Sequence, residues 1–159
     1  MTIRRGSFLL LALILLAPAA WRAPGAQALV SITTTGSITV TGVTIAATQQ
    51  TGAATVRYVD IYETFAGTMT GAGVAMLRTV TYPNGTETYS GLNEFSGSVR
   101  GVAGTGELIF RDMGSAVNGN AFGRLWVMDT RGALLNLRGQ GTYQGTLGVG
   151  LGYALQLYY

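Results

Sequence analysis

The sequence predicts an all-β protein, a small antiparallel meander of about eight strands closed into a barrel. Three observations carry this. The chain has 24 glycines in 159 residues, 48% hydrophobic residues and only 11% charged ones. It is rich in Thr, Val, Leu and Tyr and poor in strong helix formers. Apolar residues recur with period two, and no 11-residue window shows a helical stripe. Short strands at regular spacing, divided by turn residues, imply an up-and-down barrel or a sandwich.

The first element is not a strand. Arg4 and Arg5 precede an unbroken apolar run from Phe8 to Ala17, and Ala26-Gln27-Ala28 follows as a small-x-small ending. A basic start, an apolar stretch and a cleavage site predict an export signal over residues 1–28, cut near Ala28. The apolar run is too short to span a bilayer as a helix. With no cysteine to carry a lipid, the expected product is a periplasmic or extracellular protein, a single β-domain over residues 29–159.

Strands are expected at 30–35, 37–48, 54–66, 73–82, 86–97, 104–112, 122–129, 135–144 and 150–158. The breaks fall at Thr35-Gly36, Gly52, Pro83-Asn84-Gly85, Asn118-Gly119-Asn120 and Arg131-Gly132. Asn84-Gly85 is the sharpest, because a two-residue type I′ turn needs positive φ at both central positions. Alternation places Val74, Met76, Val80 and Tyr82 on one face, with Ala75, Thr79 and Thr81 on the other. Phe122, Trp126 and Met128 form a second such stripe, and Tyr153, Leu155, Leu157 and Tyr159 a third.

Charge and chemistry narrow the function. The formal net charge is +3, but Arg4, Arg5 and Arg22 lie in the export signal. The remaining seven arginines face seven acids, so the exported chain is neutral. Without a basic stripe, and with Trp126 as its one tryptophan, it has no footprint for nucleic acid. The chain contains no His, Cys or Lys. This excludes a Ser-His-Asp triad, a thiol nucleophile, a Schiff-base amine and an ordinary zinc site, and no cofactor is expected.

A short echo recurs at an offset of 30 residues. Phe65-x-Gly67-x-x-x-Gly71 returns as Phe95-x-Gly97-x-x-x-Gly101, which marks equivalent corners of successive hairpins. Together with Tyr89-x-Gly91-Leu92-x-Glu94-Phe95, Gly132-Ala-Leu134-x-x-Leu137-Arg138-Gly139-Gln140-Gly141 and the closing Tyr153-x-Leu155-x-Leu157-Tyr158, it resembles a bacterial family of unknown function. Members of that family adopt an allene oxide cyclase-like β-barrel. The resemblance implies a small antiparallel barrel with a partly apolar interior, of a kind that elsewhere hosts fatty-acid-derived cyclisation or terpenoid and phenolic binding. It implies no assigned reaction.

A charge within an apolar stripe is the informative event in such a barrel. Glu63 follows Val59 and Ile61, Arg78 lies between Met76 and Val80, and Arg124 lies between Phe122 and Trp126. Facing inward, these groups would bind the carboxylate or carbonyl of a small apolar or amphipathic ligand. Tyr58, Tyr62, Tyr82, Tyr89 and Trp126 would form its walls. Facing outward, or with Glu63 and Arg78 paired across strands, they are structural. A Glu63–Glu94 carboxylate pair would be glycosidase-like, but the echo does not place the two across a barrel from one another. Cyclase or isomerase chemistry by shape alone needs no histidine. An outer-membrane barrel and a non-catalytic envelope structural protein are the other classes, and exposed strand ends leave a homo-oligomer open.

Overall fold

The computed structural model describes residues 30–159, so the expected export signal lies outside the described residues. Eight strands follow one another: β1 (Ser31–Thr51), β2 (Ala54–Gly67), β3 (Met69–Thr81), β4 (Thr86–Val99), β5 (Gly106–Val117), β6 (Asn120–Gly132), β7 (Arg138–Thr146) and β8 (Gly150–Tyr158). Each pairs antiparallel with the next, and β1 closes the ring with β8.

Closure is the work of the long first strand. Its first half pairs with β8, from Ser31 opposite Tyr158 to Ile38 opposite Leu151. The rest continues along β2, from Gly36 opposite Gly67 to Thr51 opposite Ala54. The break expected at Thr35-Gly36 is therefore absent, and 30–35 and 37–48 belong to one strand. Gly36 serves a different need: a Cβ there would lie 2.6 Å from the Tyr153 hydroxyl and would strike the Ala66 carbonyl.

The turns are tight, but the type I′ geometry sits elsewhere than expected. Asn118 and Gly119 carry φ of 52° and 81° and alone connect β5 to β6, the two-residue positive-φ turn of a hairpin. At 82–85 only Gly85 has positive φ, 79°. Pro83, fixed near −65°, takes the first central position of a turn closed by Gly85 N–H donating to the Tyr82 carbonyl at 3.0 Å. The Asn84 side chain then accepts from Thr86 N–H at 3.0 Å. The strand expected from 135 begins instead at Arg138, because Asn136 adopts φ of 71°. Residues 133–137 form successive turns that drop Leu134 and Leu137 into the core.

That insertion makes the barrel's ends unequal. At the end bearing the β2–β3 corner, the β4–β5 loop and the 133–137 turns, Phe65, Met69, Phe95, Val99, Leu108, Leu134, Leu137 and Leu157 are buried together. Tyr153 caps the β2–β3 corner by accepting from Met69 N–H at 2.9 Å. Among the described residues, the opposite end, with the tight turns, carries no such plug.

Candidate functional site

The unplugged end encloses a cavity of about 70 Å³. Ile38, Val40, Ile61, Leu77, Ala116, Leu125, Leu147 and Leu151 supply its apolar wall, and Glu63, Thr79, Glu87, Tyr89, Asn93, Asp112 and Tyr143 supply its polar groups. The volume is about half of the ~150 Å³ that admits a benzene ring in an engineered apolar cavity.

Two hydrogen bonds organise the polar groups, and each spans a strand that carries glycine. Glu63 on β2 and Asn93 on β4 are both buried, and Asn93 Nδ2 donates to Glu63 Oε2 at 2.7 Å. The strand between them, β3, presents Gly73, where a Cβ would fall 2.8 Å from the Phe65 ring and 3.3 Å from Asn93 Oδ1. Any side chain at 73 would stand in the space where the β2 and β4 side chains meet. On the far wall, Tyr143 on β7 crosses Gly123 of β6 and donates its hydroxyl to Asp112 Oδ1 on β5 at 2.7 Å. Tyr89 lies over Gly114 in the same manner, donating to the Phe122 carbonyl at 3.2 Å beside the Tyr143 hydroxyl. Small residues on one strand thus let large ones from its neighbours fill the lumen.

Burial sets the protonation chemistry. It pushes the Glu63 carboxyl up to about 7, against the lowering effect of the Asn93 hydrogen bond, and the Asp112 charge adds to the rise. Burial likewise raises Asp112 to about 6, opposed by the bond from Tyr143. Tyr89 is raised to about 12 and Tyr143 further, mainly by burial, so both stay neutral donors at ordinary pH. The site can exchange a proton near neutrality through either carboxyl. The described residues contain no group of three or more acids arranged to hold a metal ion.

The expected site residues divide by face. Glu63 and Tyr89 line the cavity. Tyr58, Tyr62 and Tyr82 are exposed, as are Arg78 and Arg124, while Trp126 is half-buried on the outer face. The stripe through Val59, Ile61, Glu63 and Phe65 faces inward, one of the two orientations the sequence left open. The stripes through Met76 and through Phe122 face outward, with Val80 of the first nonetheless buried, and Ala75, Leu77 and Thr79 on β3 and Ala121 and Leu125 on β6 face inward instead. Glu63 and Arg78 do not pair across strands: Glu63 is opposite Gly73 and Arg78 is opposite Tyr58. Glu94 is exposed, on the other face of the sheet from Glu63. Sequence reasoning missed Asn93, Asp112 and Tyr143. The signal for Asn93 was present, since the 30-residue offset that relates Phe65 to Phe95 also relates Glu63 to Asn93. Asp112 continues the alternation Leu108-x-Phe110-x-Asp112.

Comparison with known proteins places this architecture. The family described as "Protein of unknown function (DUF3224)" matches residues 34–157, which spans β2 to β7 in full, β1 beyond its first three residues and β8 up to its last residue. The chain belongs to the DUF3224 family. A solved DUF3224 protein of unknown function from Shewanella oneidensis MR-1 is similar at a TM-score of 0.60 and 16% identity, covering 81% of this chain and 96% of that one. At that identity the likeness speaks to the DUF3224 fold alone. A search of curated proteins returns no match.

Proposed function

We propose that this DUF3224 barrel is an exported binding protein that receives the head of a small, mainly apolar molecule through its unplugged end. The observation that carries the reading is the contrast within one lumen. One end is filled by side chains, and the other keeps an apolar-walled cavity in which Glu63, Asn93, Asp112, Tyr89 and Tyr143 converge. A cavity of about 70 Å³ holds only a few heavy atoms, so the rest of the ligand lies at the mouth. The outward arginines Arg78 and Arg124 remove the carboxylate clamp expected from sequence and leave recognition to hydrogen bonds.

The outer surface supports the soluble alternative over a membrane barrel. Membrane barrels turn an apolar band outward, whereas here Arg78, Glu94, Arg111 and Arg124 are exposed in mid-strand and Phe65, Phe95 and Phe110 fill the inside. Shape-directed isomerisation is the second reading, favoured by a carboxyl at about 7 inside an apolar wall.

Native mass spectrometry of protein released by osmotic shock without detergent tests the proposal. The wild type is expected to carry a small-molecule adduct, and Ala116→Trp, which fills the cavity, is expected to carry none. Ligand-free wild type, or release only by detergent, would overturn it.

A further inference from the structure

Resting on the binding reading above, we propose that the cavity selects a cationic head, a protonated primary amine on an apolar body, seated between Glu63 and Asp112. The argument is an inventory of donors and acceptors. Asn93 Nδ2 is spent on Glu63, the Tyr143 hydroxyl on Asp112 and the Tyr89 hydroxyl on the Phe122 carbonyl. Among the described residues, no donor reaches Glu63 Oε1 or Asp112 Oδ2. Asn93 Oδ1, on a side chain only 2% exposed, is buried without any partner. A buried acceptor left without a donor is costly, and here it belongs to a residue that lines the cavity. Glu63 Oε1 and Asp112 Oδ2, one on each carboxyl, are the acceptors left open to the cavity, and an ammonium group, which donates and never accepts, matches both.

Charge points the same way. Glu63, Glu87 and Asp112 line the cavity, and no arginine does. An anion would enter a site with two buried carboxyls and no counter-charge, whereas a cation offsets both. A hard divalent ion fits less well, because it asks for six to eight oxygens and the carboxyls do not gather as a set of three. The apolar wall of Ile38, Ile61, Leu77, Leu125 and Leu151 then selects amines with a hydrocarbon body over free ammonium.

Protonation follows from the same arrangement. The titratable groups facing Glu63 and Asp112 are Glu87 and Tyr89 from β4 and Tyr143 from β7; β1, β3, β6 and β8 contribute only Ile38, Val40, Leu77, Thr79, Leu125 and Leu151 to the cavity wall. A cation between the two carboxyls favours their ionised forms, so binding releases protons and tightens as pH rises through the window of about 6 to 7 in which they titrate.

The test uses butylamine, butanol and butyrate, one hydrocarbon body with three heads, followed by chemical shifts of the Leu125 and Leu151 methyl groups. At pH 8 butylamine is expected to bind at least tenfold more tightly than butanol, with butyrate weakest. Its affinity should fall at least tenfold at pH 5, while that of butanol stays level. Glu63→Gln and Asp112→Asn should each erase most of the preference for butylamine over butanol. The pH series on the wild type keeps the test open if a variant misfolds. Butanol or butyrate binding as tightly as the amine would overturn the cationic head and leave the binding reading standing. Failure of all three to shift the cavity methyls at millimolar concentration would overturn both.

Discussion

Towards the closed end of the barrel, β2 and β4 meet through Phe65 and Phe95, whose rings stand edge to face with centroids 5.1 Å apart. One pleat step nearer the open end, the same two strands meet through Glu63 and Asn93 at 2.7 Å. Both pairs cross β3 where it carries Gly71 and Gly73, and both obey the 30-residue offset in the sequence. The backbone solution is the same and the chemistry is opposite. The phenylalanine pair removes apolar area from water, adds a favourable ring geometry and asks for no partner. The glutamate–asparagine pair puts a carboxyl and an unsatisfied carbonyl oxygen into the same low-dielectric space, where their cost depends on protonation and on what fills the cavity. Stability is thus concentrated at one end and chemical responsiveness at the other.

The largest effect should come from breaking the closed end. Phe95→Ala removes a ring that is 1% exposed and packed on Phe65, and it is expected to cost about 3–5 kcal/mol in urea denaturation, equally at pH 5 and pH 8. A loss below ~1 kcal/mol would mean that the plug is not where the fold is secured.

Glu63→Gln should do the reverse at the open end. The folded carboxyl titrates at about 7 against 4.5 in the unfolded chain, so between those values the folded state holds the extra proton. Stability is then full below 4.5 and falls as pH rises towards 7. Glutamine accepts the same Asn93 bond without ionising. The variant should therefore match wild type at pH 4 and exceed it at pH 8, by up to roughly 3 kcal/mol at 1.36 kcal/mol per unit. A stability gain that did not depend on pH would break the assignment of that end as the titrating one.

How much of this contrast the sequence displayed depends on the strand. β2 carried the alternation, with Tyr58, Asp60, Tyr62 and Thr64 polar or amphipathic on one face and Val59, Ile61, Glu63 and Phe65 on the other, but its tyrosines were as good a cavity wall as its apolar run, so the face stayed open. β3 and β6 misled because apolar residues stand outside: Met76 is 38% exposed, Phe122 58% and Met128 63%. Beside Leu77 and Leu125, their inward positions are the small residues Gly73, Ala75 and Thr79, and Ala121 and Gly123. A narrow lumen cannot hold a large residue from every strand, so these two present small ones and Phe65, Phe95, Tyr89 and Tyr143 fill the space across them. Hydropathy read strand by strand cannot see that exchange, because the small residue's reason lies on its neighbour. Asp112 was hidden for a related cause, as its partner Tyr143 is 31 residues away and two strands over.

The smallest effect sharpens the comparison within the open end itself. Tyr143→Phe keeps the ring that lies over Gly123 and deletes only the hydroxyl that donates to Asp112 at 2.7 Å. That bond holds the Asp112 carboxyl down against burial, so its loss should move the group above about 6. The folded state then pays more to ionise it. At pH 8, where Asp112 is charged in both folded and unfolded chains, a charge-assisted hydrogen bond disappears and stability should drop by about 2 kcal/mol. At pH 5 the folded carboxyl is already protonated, the bond is an ordinary neutral one, and the drop should be under ~1 kcal/mol. Urea denaturation at the two pH values reads the difference directly. An equal loss at both would assign Tyr143 to packing, in the manner of Phe95, and would leave Glu63 as the one carboxyl through which the open end senses pH.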